Sequence, residues 1–343
     1  MKHLLPFVCL LLGLQLNAQK VFKLDDFSKD YYAKIAVAEC DSSGYCSGEG
    51  KVEIFSKANN KRILTQESEQ LALWLHKGKA VANIKELPYG EQSVLIYEDV
   101  NFDGKKDFAL CDGQNSCYGG PSFQVYLATT NGFQHSESFT RLAQDYCGMF
   151  QIDAKKKEIH TMTKSGCCWH QFSTFKVEGN EPIEWEIIEE DATTFPYAGV
   201  TIQQRVNHKM VTNAYFELVT AEAKPFFSVN LQKNNKQVVL FRQGDVLHYA
   251  LLKANSDSVE FSYPFRAQGE EKDLVFSYEP FGKETTLTFT NKNATYTVYE
   301  SATTVGIRVL LNGKTYDMPG NPATKKGSVN IIGQDAEGIV NVR

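Results

Sequence analysis

Positive charge is nowhere concentrated in this chain of 343 residues. Its 36 Lys and Arg stand against 41 Asp and Glu, a formal net charge of −5, and no basic stripe occurs. That argues against a nucleic-acid partner, whose binding rests on neutralised phosphates. Beyond the N-terminus no apolar run is long enough to cross a bilayer, so no membrane span is expected after the leader. No G-x-S-x-G surrounds a serine, and Asp41-Ser-Ser-Gly44 offers no readable triad. No C-x-x-C occurs, and His76, His135, His160, His208 and His248 lack metal-ligand spacing, which leaves zinc without its usual pattern. The carboxylates of Glu181 to Asp191 alternate with Ile183, Trp185 and Ile187, so they form the solvated face of a strand, not a glycosidase pair. No nucleophile–base constellation is readable, and the chain is not expected to be an enzyme.

What is present begins with an address label. Lys2 and His3 precede an apolar core from Leu4 to Leu14, and Leu16-Asn17-Ala18 offers a cleavage site before Gln19. Residues 1–18 are therefore expected to be a bacterial signal peptide and the mature protein periplasmic or secreted. Of the 8 cysteines only Cys9 lies in the leader. The others, Cys40, Cys46, Cys111, Cys117, Cys147, Cys167 and Cys168, fall in the first half and in an oxidising compartment. Cys40/Cys46 and Cys111/Cys117 each enclose a short loop that a local staple suits. For the remaining three, either Cys167 and Cys168 form a vicinal ring and Cys147 stays free, or Cys147 takes one of them.

The length suggests two domains. Residues 20–50 read as irregular, with a Ser/Gly-rich loop from Asp41 to Gly50. From Lys51 onward short apolar or alternating runs recur, separated by turns such as Ala58-Asn-Asn-Lys61, Asp153-Ala-Lys-Lys156 and Gly179-Asn180. Leu71–Leu75 and Ala80–Leu87 read as short pieces, and Phe139–Asp145 as the one good helical candidate of this half. Such spacing marks a barrel, sandwich or propeller. A boundary is expected near Thr220–Pro225, dividing a propeller-like domain of residues 20–222 from a smaller β-sandwich-like domain of residues 223–343. The latter opens a fresh series of hairpins, the clearest turning at Asn312-Gly313. The fold class expected is all-β throughout.

The stretch with the most chemistry is Asp99-Val-Asn101-Phe-Asp103-Gly104-Lys105-Lys-Asp107. Oxygen-bearing side chains two residues apart converge on one point, glycine takes the sharp turn, and the next residue offers a carbonyl. Asp99, Asn101, Asp103 and Asp107 by side chain and Lys105 by carbonyl would form a hard-cation site with three carboxylates, which suits Ca²⁺ better than Mg²⁺. Ser93–Tyr97 and Phe108–Leu110 flank it as strands. Position twelve counted from Asp99 is Leu110, so the bidentate glutamate of an EF-hand is missing. The expected role is structural.

This loop resembles the calcium loops of FG-GAP propeller repeats. With Gly119-Gly-Pro-Ser-Phe-Gln-Val-Tyr-Leu127, Gly148-Met-Phe-Gln-Ile-Asp153 and Ser165-Gly-Cys-Cys-Trp-His170 following in order, the run from Lys51 to Val219 resembles a family of exported bacterial calcium-binding proteins with a propeller-like fold. The known type of that family is an immunity protein that blocks a lysozyme-like effector of a type IV secretion system. The resemblance thus implies Ca²⁺ and a lysozyme-like peptidoglycan hydrolase as partner. Only one calcium loop is present, unlike an integrin-type repeat array. Candidate partner-binding residues are Tyr118, Gly119, Gly120 and Ser122, where two glycines allow close approach, and Trp169 and His170 beside the paired cysteines. The competing reading is an envelope or surface β-module that binds glycan or another envelope protein, with calcium purely structural.

Overall fold

A computed structural model describes residues 19–86, 90–244, 246–265, 276–280, 283–331 and 340–342. The expected leader, residues 1–18, lies outside them. The chain forms two compact units. One holds the residues up to Thr163 together with Phe172–Trp185, the other Lys164–Gln171 and the residues from Glu186 onward. The boundary expected at 222/223 falls at a different joint, a short helix described below.

The first unit opens with a four-stranded antiparallel meander, β1 (Lys20–Leu24), β2 (Tyr31–Cys40), β3 (Tyr45–Ser56) and β4 (Arg62–Trp74). Residues 20–50, expected to be irregular, are therefore mostly strand. β2 carries Ala, Lys and Glu, poor strand formers, but places Ala33, Ile35 and Val37 on one buried face. Leu71 is not the start of a separate piece, because β4 runs unbroken through it. A second meander follows: β5 (Leu95–Glu98), β6 (Asp107–Gly113), β7 (Ser122–Thr129) and β8 (Gly132–His135). Both are up-and-down antiparallel sheets, and the all-β class expected is the one observed. They share a core in which Ile35, Ile54 and Leu71 join Leu95, Phe108, Leu110 and Phe123.

Helix α1 (Glu137–Leu142) comes next, capped by the Ser136 hydroxyl and burying Phe139 and Leu142. β9 (Gln151–Asp153) pairs antiparallel with β10 (Glu158–Ser165). β11 (Trp169–Glu178) and β12 (Glu181–Asp191) each contribute residues to both units.

In the second unit the end of β12 pairs with β13 (Tyr197–Val206), which pairs with β14 (Lys209–Leu218) across the Asn207-His208 turn. Helix α2 (Thr220–Ala223) is the joint at the expected boundary. A five-stranded sheet then contains β15 (Phe227–Asn230), β16 (Gln237–Gln243), β17 (Val246–Leu252) and β18 (Val259–Tyr263). A six-stranded sheet contains β19 (Ser277–Glu279), β20 (Thr285–Asn291), β21 (Ala294–Glu300), β22 (Val305–Leu311) and β23 (Lys314–Pro319). The edge strand β24 (Lys326–Gly327) joins the first of these sheets and β25 (Asn341–Val342) the second. Phe227, Leu240 and Tyr249 from one sheet meet Leu287, Phe289 and Ile307 from the other in a single core, which is the sandwich expected.

Candidate functional site

The Asx-rich stretch connects β5 to β6, whose terminal residues Glu98 and Asp107 are register partners. Its side chains turn inward onto the loop's own amides. Asp99 Oδ1 accepts from Asp103 N at 3.1 Å and Oδ2 from Gly104 N at 2.9 Å. Asn101 Oδ1 accepts from the same Asp103 N at 3.2 Å, and Asp103 Oδ1 accepts from Lys105 N at 2.8 Å. The tight winding puts Phe102 at φ 61° and Gly104 at φ 91°. The glycine is the residue that adopts this backbone without strain. Asn101 is itself buried, and its Nδ2 donates to Asn180 Oδ1 at 3.0 Å, in the turn between β11 and β12.

Asp107 lies beneath this loop, fully buried. Its Oδ2 accepts from Val100 N and its Oδ1 from Ala128 N, each at 2.8 Å. Burial pushes its carboxyl up to about 6. The two backbone donors pull it down, while the neighbouring Asp103 and Asp99 charges push it up. The ion pairs found among the described residues include none to Asp99, Asp103 or Asp107, and no three acidic, His or Cys side chains there gather into a preformed metal cluster. The donor set nonetheless fits a hard cation: hard oxygens, three carboxylates and no cation of the chain's own.

The loop after β6 holds the second set of candidates. Cys117–Gly119 forms a 3-10 turn in which Tyr118 adopts φ 55°, ψ 29°, a left-handed conformation uncommon for a bulky residue. Its neighbours hold it there. Gly119 N donates to Ser116 O, Gly120 N to Cys117 O and Ser116 N to Gly120 O, all at 3.1 Å. Tyr118 is 65% exposed. Gly119 faces open space, whereas a Cβ on Gly120 would stand 3.0 Å from Ser116 Oγ. Ser122, unlike Tyr118, is fully buried. Its hydroxyl donates to Asp112 Oδ1 at 2.5 Å and accepts from Asn115 N at 3.2 Å. Asp112 Oδ2 accepts from Gln124 Nε2 at 2.6 Å and Gln144 Nε2 at 2.7 Å. Asp112, Gln124 and Gln144 thus fix the base of the loop. Sequence reasoning missed them because they are spread over 33 positions with no local pattern.

The disulfides correct one expectation. Cys40 pairs with Cys46, as its spacing indicated, and Cys167 with Cys168. Cys117, however, pairs with Cys147 and not with Cys111. Cys111 is in the middle of β6 with its side chain in the core, where burial pushes the thiol up to about 12, while Cys117 sits on the loop beyond. The turn containing Cys167 and Cys168 belongs to the second unit. Cys167 is exposed, Trp169 and His170 are half-buried at the start of β11, and Cys168 O accepts from Ala192 N at 2.8 Å.

Ser43, the serine of the rejected nucleophile pattern, donates its hydroxyl to Asp41 Oδ1 at 2.6 Å within a turn. His76 bonds Glu91, and the buried His248 places Nδ1 2.8 Å from Pro264 O.

No family model and no curated protein matches the chain. Among solved structures, a Xanthomonas protein related to the type IV secretion system is similar at 22% identity and a TM-score of 0.46, covering 58% of this chain and 95% of that one. The β-propeller domain of the Trilobed protease from Pyrococcus furiosus is similar at 10% identity and a TM-score of 0.24, covering 88% of this chain and 97% of that one.

Proposed function

We propose that this is an exported, non-catalytic calcium-binding protein that inserts the Tyr118 loop into the cleft of another protein, a lysozyme-like peptidoglycan hydrolase. The observation that carries the reading is Tyr118 itself: a large aromatic side chain, mostly exposed, on a backbone held in a conformation that costs about 1–3 kcal/mol. A disulfide, three turn hydrogen bonds and the Asp112 network keep it there. Such a loop loses little freedom on docking. A muramidase cleft presents an acid and a second carboxylate, and the Tyr118 phenol can donate to one of them. Ser122, buried and bonded to Asp112, supports the loop instead of meeting the partner. The cation at Asp99–Asp107 would fasten β5 to β6, the strand whose other end leads into this loop. The partner's identity comes from the family resemblance in the sequence.

The test is inhibition of cell-wall lysis by a panel of muramidases in calcium. Wild-type protein is expected to slow at least one of them, and Tyr118→Ala to lose roughly tenfold or more of that effect, as for an aromatic interface anchor. A panel left untouched by the wild-type protein defeats the partner assignment. The metal assignment is checked separately by melting: calcium raises the Tm of the wild type but not of Asp103→Ala. Identical wild-type curves in calcium and in chelator sink it.

A further inference from the structure

We propose that the Cys167–Cys168 pair is a reversible thiol-exchange site, opened at Cys167 by an external dithiol. Three disulfides are found among the described residues, and they differ in what they can do for the fold. A disulfide stabilises chiefly by closing a loop in the unfolded chain, and the effect grows with the loop. Cys117–Cys147 spans 30 positions and Cys40–Cys46 spans 6, whereas Cys167 and Cys168 are adjacent. A bond between neighbours closes no such loop and ties no two strands together, so it is no staple. Access divides the three bonds in the same way. Cys46 and Cys147 are buried, which shields one sulfur of each longer-range bond. Cys167 is exposed and Cys168 half-buried, in the turn from β10 to β11. Ser165 and Gly166 before them are exposed as well, and a Cβ built on Gly166 meets nothing within 4 Å. Exposed disulfides are the labile ones, and buried ones resist exchange.

A thiolate of the dithiol attacks Cys167 Sγ, the Sγ–Sγ bond breaks, and Cys168 leaves as a thiolate that takes up a proton. The attacker is then held on Cys167 as a mixed disulfide. Its second thiol, having lost its proton, attacks the sulfur bonded to Cys167 and frees Cys167 as a thiolate, which is protonated in turn. Two electrons and two protons pass from the dithiol to the pair, and the dithiol leaves as its own disulfide. A single-thiol attacker is expelled again, because the Cys168 thiol stays next to the mixed disulfide and recloses the ring. The change that follows is local. Cys168 O accepts from Ala192 N at 2.8 Å, which ties the turn to the segment between β12 and β13. The closed ring fixes the two cysteine backbones against each other. Opened, both residues regain freedom at the expense of that hydrogen bond. Trp169 and His170 follow directly on the turn, so its redox state sets how firmly the start of β11 is presented. The site depends neither on the Tyr118 loop nor on a cation.

The test uses the full chain without denaturant, dithiothreitol as the reductant, and trapping with iodoacetamide followed by peptide mass mapping. Cys167 and Cys168 are expected to be alkylated at least about tenfold faster than the cysteines of the other two bonds. Cys111, buried in β6, is expected to stay unalkylated meanwhile, which reports that the first unit remains folded. Oxidised glutathione, added once the reductant is removed, is expected to restore the bond. In hydrogen exchange the Ala192 amide is expected to lose protection on reduction while the amides of β16 keep theirs. The unreduced double variant Cys167→Ser, Cys168→Ser is expected to show the same loss, with no further change on adding dithiothreitol. Opening of all three bonds at one rate, or a Cys167–Cys168 bond that outlasts the others, overturns the proposal. So does alkylation of Cys111 in step with Cys167, which marks opening of the whole fold. Equal Ala192 protection in the two redox states overturns the link to the β12–β13 segment.

Discussion

Asp107 in the first unit and Glu300 in the second are the two carboxylates buried among the described residues, and their surroundings are opposite. Burial pushes both up. Around Glu300 that push is outweighed: Lys325 pairs with one oxygen, while Ser328 Oγ at 2.8 Å and Val329 N at 2.7 Å donate to the other. Its carboxyl titrates below the ordinary glutamate range. Asp107 has two backbone donors, two neighbouring acids and no side-chain cation, and it titrates above the ordinary aspartate range. The second unit thus neutralises its buried charge from its own chain. The first supplies no such partner to Asp107, and the proposed Ca²⁺ would take that role.

Three experiments break or sharpen this contrast. The largest effect is expected from Asp107→Ala. It strands two buried amides, and the first unit should lose about 3–5 kcal/mol in urea unfolding while hydrogen exchange in the second unit is unchanged. Equal loss of protection in both units would show that they do not unfold separately. The Cys117→Ser, Cys147→Ser double variant should cost the first unit about 3–4 kcal/mol, because it frees a loop of some thirty residues. Reduced and oxidised protein of equal urea midpoint would show the bond to be dispensable.

The smallest effect belongs to Glu300. Its folded pKa is lowered, so its stabilisation is present above the unfolded value of about 4.3 and is lost as pH falls through that value and below. Glu300→Gln should remove about 1–3 kcal/mol near neutral pH and flatten the acid limb of the second unit's unfolding curve. An acid limb identical to wild type would assign that stability to other groups.

Much of the Asx-rich loop was legible because the ligand spacing, the turn glycine and the flanking strands fall within a few consecutive residues. The hairpins of the second unit were legible for a related reason, since Leu287–Thr290 and Thr295–Tyr299 alternate β-branched and aromatic residues around an Asn-rich turn. What stayed hidden depends on distant partners. β2 mixes strand formers (Tyr31, Tyr32, Ile35, Val37) with Ala, Lys and Glu, and its pairing with β1 and β3 on either side settles it as a strand. Ser122 looked available until Asp112 and Asn115 were seen to hold it. Asn180, 79 residues from Asn101, carries no mark of its contact with the loop. The cysteine pairing turned on which way Cys111 points from β6, and a register shift between Cys111 and Gly113 makes that unreadable from spacing.

The orientation of Cys111 also bears on how the protein must be made. Under oxidising conditions an unfolded chain would offer Cys117 a thiol six positions away and another thirty positions away, and chain statistics favour the nearer. The native bond goes to the farther one. Once β6 seats Cys111 in the core, burial keeps its thiol protonated at neutral pH and a poor partner for Cys117. A Cys111–Cys117 bond formed earlier would have to be broken by the Cys147 thiolate, with Cys111 leaving as the thiol. Sheet assembly thus takes one of the three thiols out of the exchange and leaves Cys117 and Cys147 to each other.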